Sequence, residues 1–162
     1  MDQRKIESRP DVLLFTTDVL AEPLEVTGCI YAKLYISSDC PDTDFTVKLT
    51  DVYPDGRSML VTDGILRASL RNSFEQPELL DPGKSYELTV DLWSTSLIFN
   101  TGHCIRVAIS SSNAPRFEPN PNTAGRGTPR AAINTLHVSA EHPSHILLPV
   151  YRERAPGKDQ GQ

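Results

Sequence analysis

The sequence predicts an all-β fold, a β-sandwich of the jelly-roll type, and three observations carry that expectation. Residues of an apolar, buried face alternate at a period of two with those of a more exposed face in segment after segment: Ile30, Ala32, Leu34 and Ile36 against Tyr31, Lys33 and Tyr35; Phe45, Val47 and Leu49 against Thr46, Lys48 and Thr50; Ile105, Val107 and Ile109 against Cys104, Arg106 and Ala108. The 13 prolines and 9 glycines are spread between these runs rather than gathered in one linker, which suits many short strands joined by turns. No window sustains an apolar period of 3.6 for the length of an ordinary helix.

The expected strands follow one another along the chain: 12–16, 24–28, 30–37, 45–52, 59–62, 65–70, 86–92, 103–110, 133–138 and 145–151. Turn chemistry separates them at Tyr53-Pro54-Asp55-Gly56, Asp63-Gly64, Asp81-Pro82-Gly83 and Asn100-Thr101-Gly102. Residues 72–80 are expected to form one helical turn. The stretch after Ser112 carries Pro115, Pro119 and Pro121, which forbid a regular ladder, and a connection of that length in a compact domain is more often ordered and functional than slack. Two long connections and about ten strands favour a jelly roll over a simple meander. A chain of 162 residues fits one domain, read as 9–152, with 1–8 as a disordered or linker segment and 153–162 as a flexible tail.

A net charge of −5 argues against nucleic-acid and anionic-membrane partners, both of which need a basic surface. The polar opening from Met1 to Pro10 lacks the apolar centre of a signal peptide, and no apolar run approaches the ~20 residues of a membrane span. Cys29, Cys40 and Cys104 are odd in number and lack C-x-x-C spacing, so free thiols are expected. No N-x-S/T sequon is present, and the expectation is a cytoplasmic location.

Several motifs then resemble a known family. They are Arg9-Pro10-Asp11-Val12-Leu13; Asp42-Thr43-Asp44-Phe45 with Asp51-Val52-Tyr53-Pro54-Asp55-Gly56; Asp63-Gly64-Ile65-Leu66-Arg67; Gly102-His103 with Ile105-Arg106; Ser110-Ser111-Ser112 with Pro115-Arg116-Phe117; Asn120-Pro121-Asn122-Thr123; and Glu141-His142-Pro143-Ser144. In this order, from Arg9 to Tyr151, the chain resembles the C-terminal non-catalytic domain of the X-Pro dipeptidyl-peptidase and cocaine-esterase class of serine hydrolases. Cys104 and Ala124 depart from the family's pattern at two loop positions. The resemblance implies a jelly roll of the galactose-binding type whose partner is an α/β-hydrolase catalytic domain, on the same or a separate chain.

No position inherits a catalytic role. A hydrolase of that class needs its nucleophile on a G-x-S-x-G elbow, and the sequence has none; Gly56-Arg57-Ser58 lacks the second glycine and sits in an expected hairpin turn. His137, His142 and His145 with Glu141 are zinc-compatible residue types, yet Pro143 makes the segment a turn, so the histidines are expected to diverge while His142 and Ser144 fix the turn. His103 is expected to be a satisfied, half-buried residue. Asp39, Asp42 and Asp44 flank Pro41 and are weak calcium candidates; their other reading is that Asp42 and Asp44 accept backbone or arginine hydrogen bonds, with Arg116 the partner to expect. No cofactor is expected. Of Tyr31, Tyr35, Trp93 and Phe117, most are expected to serve the core, while the outward-facing Tyr31 and Tyr35 and the loop around Phe117 are read first as cover for a contact with the hydrolase core, accompanied by self-association of the isolated chain; the second reading makes these aromatics stacking surfaces of a free-standing carbohydrate- or small-ligand-binding module.

Overall fold

A computed structural model of the chain describes residues 1–151. It contains a short helix α1 (Arg4–Glu7) and nine strands: β1 (Leu13–Thr16), β2 (Leu24–Ser38), β3 (Asp44–Val52), β4 (Ser58–Arg67), β5 (Tyr86–Phe99), β6 (Cys104–Ser110), β7 (Asn134–His137), β8 (His145–Leu147) and β9 (Val150–Tyr151). The first sheet has the order β1-β6-β3-β4 and the second the order β5-β2-β7, with β8 and β9 also pairing with β2. All recorded pairings are antiparallel. Apart from the β3–β4 hairpin and the β7-β8-β9 run, each connection passes from one sheet to the other, the wrapping expected of a jelly roll.

The alternation seen in the sequence packs the centre. Val26, Ile30, Leu34 and Ile36 from β2 and Leu88, Val90 and Leu92 from β5 meet Phe45, Val47 and Leu49 from β3 and Ile105 and Ile109 from β6. Each such side chain, once buried, contributes about 1.5–3 kcal/mol relative to staying exposed. Strand β3 is buried along its whole length, so its other face, with Asp44, Thr46, Lys48 and Thr50, is covered as well.

Much of that cover comes from residues 1–8, which are not the linker expected from their polarity. Asp2 bridges to Met59, Gln3 N–H donates to the Ser58 carbonyl at 2.7 Å, and Leu60 N–H donates to the Met1 carbonyl at 3.0 Å, so the segment extends the first sheet beyond β4. Helix α1 then sets Glu7 in the interior, where Arg106 Nη1 donates to it at 2.8 Å and Ser58 Oγ at 2.6 Å. Local polarity misled because these groups find partners inside rather than in water. The expected flexible tail 153–162 lies outside the described residues.

Three expected breaks are also revised. Residues 24–28 and 30–37 are one strand carrying a register shift between Cys29 and Tyr31. Asp63-Gly64 is not a turn but the middle of β4. A Cβ on Gly64 would lie 2.1 Å from the Asp91 carbonyl oxygen of β5, so glycine is there to let the two sheets touch. The helical turn expected over 72–80 is instead a 3₁₀ turn at Ala68–Leu70.

Candidate interdomain surface

Three polar clusters order the loops around this core. Asp44, on β3, accepts from Arg67 Nε at 3.0 Å and from Asn120 Nδ2 at 2.7 Å, and Asp42 accepts from Ser69 N–H at 3.0 Å. Arg116 does not join them. It donates to Asp63 of β4 at 2.6 Å, beside Asn113, which donates to the same carboxylate at 2.9 Å. The expected partnership of Arg116 with Asp42 and Asp44 is therefore replaced by Arg67, which the β3–β4 register places directly opposite Asp44. Asp39 accepts from Arg130 Nη1 at 2.8 Å and from Ile133 N–H at 2.7 Å, and these donors hold its carboxyl below the usual range. The oxygens of all three calcium candidates thus face protein donors. Among the described residues no group of three or more His, Cys, Asp or Glu is placed to hold a metal ion.

The long connection between β6 and β7 is ordered by these bonds, with Asn134 tying β7 to Thr43 at 3.0 Å and to Ser111 at 2.7 Å. Arg130 and Asn134 were not singled out in the sequence, and Asp63, Arg67 and Asn120 entered only as parts of motifs, without partners. The available signal was pairing across register: only the hairpin alignment of β3 with β4 shows which arginine meets Asp44.

Histidines give a mixed result. His103 is buried, with Nδ1 at 2.7 Å from Asp51 and its ring 4.3 Å from that of Tyr53. Ser144 fixes its turn as expected, donating to the His137 carbonyl and accepting from Tyr35 N–H. His142 acts differently: its ring packs on Tyr35 at 5.4 Å and approaches His137 at 5.5 Å, while His145 turns to the Pro143 carbonyl, so two of the three converge where divergence was expected. Cys29, Cys40 and Cys104 are free thiols, and burial raises the pKa of Cys40.

The remaining candidates lie on the surface. On the outer face of the second sheet, Asp91, Tyr31 and Leu147 form one cross-strand row and Ile98, Glu25 and Tyr151 another. Tyr35 is half-buried and donates to Glu87 at 2.7 Å, beside Lys33, so this end of the face is polar. Trp93 stands 70% exposed. Phe117 is half-buried under the Arg116 guanidinium. At the open side of the sandwich, Phe15 of β1, Leu136 of β7, Ile146 of β8 and Val138, just past β7, line an apolar groove of about 230 Å³. Every residue of β1 is exposed.

Apolar surface left uncovered to this extent marks a face that another body can cover. The comparisons agree. Residues 2–147 match the family described as the X-Pro dipeptidyl-peptidase C-terminal non-catalytic domain. The chain belongs to that family.

Its relatives in the X-Pro dipeptidyl-peptidase C-terminal family are long hydrolases. The chain is 45% identical over 157 residues to the cocaine esterase of Rhodococcus sp. (strain MB1 Bresler), a match covering 93% of this chain and 27% of that protein. The crystal structure of an aminopeptidase from a marine sediment Thaumarchaeota archaeon superposes with a TM-score of 0.89 at 32% identity, over 93% of this chain and 27% of that one. An α-amino acid ester hydrolase gives 0.88 at 35% identity with the same coverages. The chain thus spans about a quarter of the length of these relatives.

Proposed function

We propose that this chain is a non-catalytic domain that packs on an α/β-hydrolase core and helps wall its substrate cleft. The observation that carries this reading is the coverage: nearly the whole chain matches, and it matches only 27% of an esterase whose remainder is a separate body of sequence. The exposed apolar strand β1, the groove beside it and the outer face of the second sheet supply surface for such packing.

Two experiments test it. The purified chain should hydrolyse neither p-nitrophenyl acyl esters nor Xaa-Pro anilides, because an activated nucleophile and an oxyanion hole are both required for acyl transfer. Turnover abolished by a serine-directed phosphonate would refute this. Placed in the Rhodococcus cocaine esterase instead of its own C-terminal domain, the chain should unfold at a higher temperature than it does alone, since a partner that binds only the native state stabilises it.

A free-standing carbohydrate- or small-ligand-binding module is the second reading, favoured by the exposed Trp93 with Asp91 two residues before it. Saturable heat on titration with simple sugars would support it.

A further inference from the structure

We infer that Trp93 is the anchor by which this domain seats on the catalytic part of the longer chain, an assignment that rests on the packing role proposed above. It is the single tryptophan of the sequence. The fold displays it at a cost. Between the pairs Tyr31↔Asp91 and Cys29↔Ser94, β2 contributes one residue and β5 two, so Leu92 and Trp93 form a bulge opposite Ile30. Leu92 takes the interior position and is fully buried, while Trp93 is left 70% exposed with a φ of 65°. A left-handed conformation is rare for a bulky non-glycine residue and persists only where its surroundings enforce it.

Those surroundings are built. Asp91 Oδ1 accepts the Trp93 N–H at 2.7 Å, fixing the bulge from its own strand. From the facing sheet, the Thr62 hydroxyl donates to the Leu92 carbonyl, and Gly64 lets β4 lie against the Asp91 backbone with no side chain between. The indole is thereby held outward on a rigid support. No core packing is gained by placing it there, since most of its surface remains in water.

A large, rigid, exposed aromatic is the residue type that dominates binding energy at protein contacts, where it fills a pocket and its N–H finds an acceptor. The occupant is the rest of the hydrolase: about three quarters of each matched relative lies outside the region that this chain covers. A recess of apolar side chains with one hydrogen-bond acceptor on the catalytic part is the chemistry that Trp93 requires.

The test compares Trp93→Asn in the 162-residue chain alone and in the cocaine-esterase chimera. Asparagine tolerates positive φ, so the isolated variant should melt within about 1 °C of the parent or above it. In the chimera the same change should lower the melting temperature of this domain by about 4 °C or more, and Trp93→Phe, which keeps apolar area but loses the donor, should fall between. Equal losses in both contexts would make Trp93 a local structural residue and overturn the assignment, as would no loss in either. Sugar binding abolished by Trp93→Asn would overturn it in favour of a ligand. A parent chimera in which the domain melts as it does alone would reject the packing role itself, and the anchor with it.

Discussion

Gly64 shows how one atom decides the contact between the two sheets. Its missing Cβ is the space occupied by the Asp91 carbonyl, and a Cβ at 2.1 Å from backbone oxygen has no flexible neighbour to displace. Gly64→Ala should therefore destabilise the domain by about 3 kcal/mol, at the upper end of overpacking costs, measured as a lower urea midpoint. Asp44 is the polar counterpart. Its buried carboxylate holds Arg67 at the end of β4 and Asn120 of the β6–β7 connection, so Asp44→Ala leaves both donors without their acceptor and should cost about 2 kcal/mol. Because its oxygens already face these donors, millimolar calcium should leave the parent's melting temperature unchanged; a calcium-dependent rise would show that the loop binds an ion instead.

At the scale of elements, the N-terminal segment behaves as part of the sandwich, and its acid sensitivity follows. Asp2 is hydrogen-bonded by the Arg4 side chain, by the Arg4 backbone and by Ser58 N–H, which lower its pKa from 3.8 to about 2. A group whose folded pKa is depressed contributes stability that is present above its unfolded value and lost as pH falls through the folded one. Stability should thus decline between pH 4 and pH 2 partly through Asp2, and Asp2→Asn should flatten that slope in denaturant titrations at successive pH values. Deleting residues 1–8 should lower the melting temperature, because Arg106, Ser58 and Thr50 lose the Glu7 carboxylate. That outcome was not legible in the sequence. Period-two alternation marked β2, β3 and β6 because one face of each meets the core, whereas α1 and its bridge are polar residues whose partners lie about fifty and a hundred positions away. The same distance effect hid Arg67 and Asp63 as the partners of Asp44 and Arg116. It also explains why Asp63-Gly64 reads as a turn: glycine serves close approach as readily as it serves reversal.

For the whole molecule, the sequence shows which residues fill the core more readily than which surface is left uncovered. Burial of Leu34 or Val47 follows from strand pattern, but exposure of Leu13, Leu14 and Phe15 follows from β1 being an edge, paired with β6 on one side only. An edge strand offers unpaired backbone donors and acceptors to another chain, and here it does so with apolar side chains and no lysine or proline within it to discourage pairing. In the longer hydrolases the proposed packing gives this surface a partner. In the isolated chain nothing described covers it, so sedimentation equilibrium should show an apparent mass that rises with concentration. Leu14→Lys places a charge at the centre of the strand, at a side chain that is already exposed, and should reduce association while leaving the melting temperature of the dilute chain within about 1 °C. A parent chain that stays monomeric at all concentrations would show that β1 protects its own edge. Association unchanged by Leu14→Lys would move the contact to the outer face of the second sheet, where Trp93→Asn is the variant to test next.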